Sequence, residues 1–70
     1  MKRIRVKSSL LVSVGYDAEN EILEAEFRTG IYQYSEVPPE RYEGLMNAES
    51  KGTYFNQFIR YAGYPYQKLV

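Results

Sequence analysis

Hydrophobic and polar residues alternate through the first half of the chain, a pattern typical of β-strands with one buried face. Three segments follow it, residues 10–16, 22–27 and 31–37, and turn-forming residues separate them at 17–20 and 28–30. The first segment has Leu10, Val12, Val14 and Tyr16 on one side and Leu11, Ser13 and Gly15 on the other. In the second segment we assign Leu23, Ala25 and Phe27 to the inner face. The pattern predicts a three-stranded antiparallel meander.

The second half of the chain has apolar residues at helical spacing. Pro38 and Pro39 end the third strand, and Pro39 suits the first turn of a helix that continues through Leu45. Ser50 is a favourable N-cap for a second helix, and Gly63 is a favourable residue to end it. The apolar stripe of that helix is Tyr54, Phe55, Phe58, Ile59 and Ala62. We expect an α+β fold of order β-β-β-α-α, with both helices on one face of the sheet and residues 64–70 unassigned.

Tyr32 and Tyr34 lie two residues apart on the third predicted strand, so their side chains share one face. The preceding turn decides which face that is. A three-residue turn ending at Gly30 would place both rings on the outer face, where aromatic pairs of RNA-binding sheets stack bases. A two- or four-residue turn would place them with Phe27 under the helices. We favour the buried arrangement.

Length and charge limit the possible functions. The chain of 70 residues predicts one domain spanning residues 1–70, with a core from 8 to 66. Nine Lys and Arg balance nine Asp and Glu, which counts against strong non-specific binding of nucleic acid. No apolar run reaches the roughly 18 residues of a membrane span, and no signal-peptide core follows the basic residues 1–7. We expect a cytoplasmic protein without a membrane partner.

The residue types also argue against an enzyme. The chain has neither cysteine nor histidine, so catalytic triads and the usual zinc sites are excluded. Glu24 and Glu26 share a strand face, but we expect that face to meet solvent. No nucleotide-binding glycine motif is present. The sequence therefore predicts a non-catalytic domain with no metal and no cofactor.

One polar stripe is a candidate anion site. Lys51 and Gly52 open the second predicted helix, where free backbone N–H groups favour anions. Asn56 and Arg60 follow at about one-turn intervals, so the four residues can line one face. The alternative is an ordinary capped helix start, with Gly52 packed tightly against the sheet.

The order and spacing of several short motifs resemble the KTSC domain, a family named for the C-terminal extension of some lysyl-tRNA synthetases. Members also occur as short stand-alone proteins. The resemblance covers residues 8–66, and its motif residues include Tyr32, Tyr34, Ser50 and Phe55. The matching segments are Val14-Gly15-Tyr16-Asp17, Leu23-Glu24-Ala25-Glu26-Phe27, Gly30, Tyr32-Gln33-Tyr34, Val37-Pro38, Leu45, Ala48, Ser50-Lys51-Gly52, Phe55-Asn56 and Ile59-Arg60.

The resemblance implies a small binding module, and the synthetase context suggests RNA as a ligand. Family members often carry arginine between the two tyrosines; Gln33 stands there in this chain and removes one charge. A position that accepts arginine faces water, which turns the tyrosines toward the core. We expect RNA or another polyanion to bind at Lys51, Gly52, Asn56 and Arg60. The alternative is a protein–protein interaction or self-association module that uses an edge strand and a tyrosine-rich surface.

Overall fold

The computed structural model describes residues 1–70 and consists of one antiparallel sheet covered on one face by helices. The strands are β1 (Ile4–Arg5), β2 (Leu11–Asp17), β3 (Ile22–Phe27), β4 (Gly30–Tyr34) and β5 (Tyr66–Lys68). The helices are α1 (Pro39–Asn47) and α2 (Lys51–Phe55), and a π-helical turn (Asn56–Arg60) continues α2. Strand order follows chain order, so each strand pairs with the next strand along the chain. The helices lie between β4 and β5 in the sequence, and β5 returns after them to pair with β4.

The core lies between the sheet and the helices. Leu45 of α1, Phe55 of α2 and Ile59 of the π-helical turn are fully buried against it. The complete set of buried core residues is Leu11, Val14, Leu23, Ala25, Tyr34, Val37, Leu45, Phe55 and Ile59. The α+β class and the two helices on one face are confirmed. Ser50 caps α2 as predicted, because its Oγ accepts a hydrogen bond from the Thr53 N–H.

The prediction of three strands is wrong, since the sheet has five. The first additional strand, β1, contains only two residues and pairs with Val14 and Ser13 of β2. The second, β5, lies in the unassigned tail and pairs with β4 from Tyr32 to Tyr34. Both are edge strands whose residues are exposed, so neither carries the alternation by which a strand is recognised.

The alternation predicted through residues 10–16 is interrupted in β2. A β-bulge between Leu11 and Ser13 shifts the pairing with β3, so that Leu11, rather than Leu10, lies in the core. A bulge inserts one unpaired residue and reverses the faces of the residues on one side of it. Strict alternation therefore holds only from Ser13 onward.

The two tyrosines of β4 face the helices, as favoured from the sequence. Phe27 pairs with Gly30, which leaves a two-residue turn and places Tyr32 opposite Ala25. Tyr34 is only 3% exposed and lies opposite Leu23. The backbone of Gly30 has φ of 150°, and an added Cβ would overlap the Val70 carbonyl oxygen.

The outer face of the sheet carries a row of polar side chains that crosses all the strands from β2 to β5. Arg3 bonds to Glu24 at 2.5 Å and to Ser13 at 3.0 Å. Gln33 donates to the other Glu24 oxygen at 3.2 Å, and Gln67 donates to Gln33 at 3.4 Å. The segment before β1 therefore folds over this face and covers Glu24, which is 8% exposed.

None of the helical segments has the length and hydropathy needed to cross a membrane.

Candidate functional site

Two adjoining clefts open at the end of the sheet where the Arg28–Thr29 turn joins β3 to β4. We call the first the basic cleft; its volume is about 380 Å³ and it is lined by Lys7, Ser8, Ser9, Leu10, Glu49, Ser50, Lys51, Gly52, Thr53 and Asn56. We call the second the aromatic cleft; its volume is about 520 Å³ and it is lined by Ser9, Leu10, Phe27, Arg28, Thr29, Tyr32, Tyr34, Arg60, Tyr61 and Tyr66. Ser9 and Leu10 belong to both linings, so the clefts are neighbours.

The structure divides the predicted four-residue stripe between these clefts. Lys51, Gly52 and Asn56 line the basic cleft, whereas Arg60 lines the aromatic cleft. The cause is the π-helical turn, in which the Tyr61 N–H donates to Asn56 O, five residues back. A residue in such a turn advances less around the axis than in an α-helix, so α-helical spacing does not bring Arg60 into line.

The polar side chains at the start of α2 form hydrogen bonds within the fold. The Lys51 ammonium donates to the carbonyl of Ala48 at 3.1 Å, just beyond the end of α1. The Ser50 hydroxyl is occupied by its bonds to the Thr53 N–H and hydroxyl. Two further N–H donors of Lys51 remain for a ligand, because an ammonium group has three.

Gly52 and Asn56 are less available than the sequence suggested. An added Cβ at Gly52 would lie 3.2 Å from the Cβ of Leu10 and 3.4 Å from the Ser8 hydroxyl, so the glycine packs against that segment. The side-chain oxygen of Asn56 is closed off from solvent and has no hydrogen-bond partner. Both residues line the basic cleft, but the side-chain oxygen of Asn56 is not an accessible acceptor there.

The remaining motif residues lie at the floor of the aromatic cleft or beneath it. Phe55 is fully buried and meets Phe27 and Tyr34 edge-to-face, with ring centroids 5.3 and 5.4 Å away. Tyr32 meets Phe27 in the same way at 5.5 Å. Burial raises the pKa of Tyr34 above its ordinary value of 10.0, and nearby Arg60 opposes that shift.

Three residues of the aromatic cleft were missed from the sequence. Arg28 was assigned only to a turn, Tyr61 was given no role, and Tyr66 lay in the unassigned tail. Tyr61 is 75% exposed and Tyr66 is 63% exposed. The available signal was the spacing of tyrosines at 61, 64 and 66 after an arginine, which concentrates aromatic rings where the apolar stripe ends.

Arg60 contacts two aromatic rings of the cleft, those of Phe27 and Tyr61. Its guanidinium carbon lies 5.7 Å from the centroid of the Phe27 ring and 5.6 Å from that of Tyr61. Such cation–π contacts hold the guanidinium plane in place while it keeps all five donors. Arg60 has no carboxylate partner, so its charge is free for an anionic ligand.

Charge is separated along the strands although the chain is neutral. Four cations line the two clefts, Lys7, Arg28, Lys51 and Arg60, against one carboxylate, Glu49. The opposite end of β3 follows the turn that carries Asp17, Glu19 and Glu21. Burial raises the pKa of Tyr16 at that end, and the charges of Glu21, Glu40 and Asp17 raise it further.

The KTSC domain family profile matches residues 7–64. A KTSC domain protein from Yersinia pestis, known from a crystal structure, is similar over 99% of this chain and 97% of its own, with a TM-score of 0.93 and 38% identity. An uncharacterized protein of Stutzerimonas stutzeri is 46% identical over 99% of both chains.

A lysine–tRNA ligase of Nostoc punctiforme is 38% identical over 58 residues, which are 81% of this chain but 10% of the ligase. Neither the family nor the structural match indicates a catalytic function. The matches in sequence and in structure cover both the motif residues and the five-stranded sheet, and the chain belongs to the KTSC domain family.

Proposed function

We propose that this domain is a non-catalytic binding module for RNA. It binds the RNA phosphates at the end of the sheet where the basic and aromatic clefts open. The observation that carries the proposal is the excess of four cations over one carboxylate in the linings of two adjoining clefts. Phosphate contacts supply most of the affinity of non-specific RNA binders, and they require such a local excess rather than a basic chain.

The similarity to part of a lysine–tRNA ligase favours RNA over other polyanions, since that relative's name indicates an enzyme that acts on tRNA. The match covers a tenth of that enzyme. RNA binding by this chain rests on the cleft charges and is open to direct test.

The test is the affinity for a fluorescently labelled 12-nucleotide single-stranded RNA, measured by anisotropy between 50 and 200 mM salt. If all four cations contact phosphates, the logarithm of the affinity falls with a slope of about −3 against the logarithm of salt, at about −0.7 per contact. That slope corresponds to a loss of about 50-fold over the range. Absence of binding at micromolar protein, or affinity independent of salt, contradicts the proposal.

Matched variants locate the contact. Lys51→Gln and Arg60→Gln should each weaken binding and make the salt slope shallower by about 0.7. Lys2→Gln removes the same charge from an exposed residue that lines neither cleft, and it should leave both quantities unchanged. Equal losses in all three variants would show that net charge, rather than the clefts, governs binding.

Self-association through an edge strand is the alternative function, and the structure offers it less support. The two edge strands have two and three residues, and β5 carries Lys68. Short edges with charged residues are features that protect proteins against edge pairing. A concentration-dependent mass in sedimentation equilibrium would revive this alternative.

A further inference from the structure

The aromatic cleft differs from the basic cleft in what it can hold. Its wall includes the exposed rings of Tyr61 and Tyr66, and its floor is formed by Phe27, Tyr32 and Tyr34. Monomeric proteins rarely leave large aromatic side chains exposed beside one another, and such surfaces mark binding sites. A phosphate contact alone does not use these rings.

The size, charge and aromatic lining of the cleft indicate the kind of ligand that it can hold. A volume of about 520 Å³ falls within the range of about 300 to 1,000 Å³ typical of sites for small organic ligands. The charged residues in its lining are Arg28 and Arg60, with no carboxylate beside them. The occupant should therefore combine an aromatic plane with a negative group next to it.

Tyr66 is prepared as a stacking platform. One side of its ring stacks on Tyr34, with centroids 5.5 Å apart and an angle of 28°, while much of the residue stays exposed. The Tyr66 ring also lies beside the Tyr32 ring, with centroids 6.3 Å apart. A ring held from behind in this way loses little freedom when another plane stacks on its open side.

We propose that the aromatic cleft takes one unstacked nucleobase of a single-stranded RNA, with an adjacent phosphate beside Arg28 or Arg60. This inference rests on the proposed function and narrows it to unpaired RNA. Bases within a duplex are stacked and paired, so their faces cannot reach the rings. Stacking accepts any base because every base has a π-face, so little sequence preference is expected.

The experiment compares three probes of equal length: single-stranded oligouridine, an abasic ribose-phosphate oligomer, and duplex RNA. Anisotropy is measured with the unmodified protein, Tyr66→Leu and Tyr66→Phe. Tyr66 is exposed, and the ¹H–¹⁵N spectrum of each variant checks that the fold is retained. Tyr61→Leu provides a second test on the other exposed ring should Tyr66→Leu disturb β5.

Oligouridine should bind more tightly than the abasic oligomer and the duplex. Loss of one base–aromatic stack should lower the affinity for oligouridine about 5- to 150-fold in Tyr66→Leu. The salt slope should stay unchanged there, and Tyr66→Phe should bind normally because it keeps the ring. The affinity for the abasic oligomer should be the same in all three proteins.

The two proposals fail in different ways. If oligouridine and the abasic oligomer bind equally, and both leucine variants bind normally, the base-stacking inference is wrong while phosphate binding stands. If none of the three probes binds, the proposed function itself is wrong. Equal or tighter binding of polyglutamate, weakened by Tyr66→Leu, would assign the cleft to an acidic peptide and overturn the inference.

Discussion

Replacing Arg3 by methionine should destabilise the fold, because Arg3 neutralises a carboxylate that the sheet has removed from water. The Arg3–Glu24 pair spans 2.5 Å, with the arginine side chain 30% exposed and the glutamate side chain 10% exposed. Methionine retains much of the packing of the arginine stem and removes the charge. Glu24 would then keep a single neutral donor, Gln33, at 3.2 Å.

The magnitude follows from the intermediate burial of the pair. Exposed pairs contribute about 0 to 1 kcal/mol, whereas breaking a fully buried pair costs about 3 to 5 kcal/mol. We expect about 2 kcal/mol for Arg3→Met, out of a total of about 4 to 10 kcal/mol for a domain of this length. The melting temperature should fall by about 8 to 16 °C.

Urea unfolding followed by circular dichroism measures this effect, with an unchanged m-value as the check on two-state behaviour. Arg5→Met is the matched control, since Arg5 is exposed in the adjacent strand and forms no ion pair. In a double-mutant cycle with Glu24→Gln, the losses should fall short of additivity by about 1 kcal/mol. The reasoning is wrong if the losses of unfolding free energy are additive, or if Arg3→Met and Arg5→Met have equally small effects. Either result would mean that Glu24 is hydrated.

Three further predictions test the core, the β4–β5 edge and the alkaline limit. Phe55→Ala should cost about 3 to 5 kcal/mol and lower the urea midpoint in proportion, because Phe55 is fully buried. Gly30→Ala should cost about 1 to 2 kcal/mol and speed amide exchange at Leu69, whose N–H bonds to Ile31 O; unchanged exchange would contradict it. The pKa of Tyr34 is raised from 10.0 by burial, so its contribution to stability is complete below pH 10 and declines as pH rises through the folded pKa. Alkaline unfolding monitored by circular dichroism should therefore begin above pH 10 and become shallower in Tyr34→Phe.

The sequence predicted the elements that bury a face and missed those that do not. Leu23, Ala25 and Phe27 alternate because β3 is central, and the helical stripe through Phe55 and Ile59 is equally direct. β1 and β5 are held by backbone hydrogen bonds to β2 and β4. Such pairing does not require hydrophobic and polar side chains to alternate along the strand. The bulge in β2 leaves no mark on composition, so unbroken alternation was predicted through residues 10–16.

The candidate site was only partly predictable for a similar reason. Lys51 and Arg60 were identified from chemistry, but their separation depends on a π-helical turn that propensities do not reveal. Arg28 and Tyr66 join the aromatic cleft only because a two-residue turn and a returning edge strand bring them there. A local window of sequence contains neither of those contacts.

Net neutrality argued against RNA, and the structure shows why that argument is weak. β3 has six residues, so its first and last Cα atoms lie about 17 Å apart at a rise of about 3.3 Å per residue. The Debye length is about 8 Å at physiological salt and about 30 Å at 0.01 M. Carboxylates at the far end, such as Glu19, are therefore screened from the clefts under physiological conditions.

Two variants with the same change in net charge test this directly. Glu49→Gln removes the carboxylate that lines the basic cleft, and Glu19→Gln removes one from the β2–β3 turn. At 0.15 M salt we expect Glu49→Gln to tighten RNA binding about two- to fivefold, the effect of one exposed charge, and Glu19→Gln to have none. At 0.01 M salt both should tighten it, because the far charge is then within the screening distance. If Glu49→Gln and Glu19→Gln changed the RNA affinity equally at 0.15 M salt, binding would follow net charge. The proposal that RNA binds at the two clefts would then be wrong.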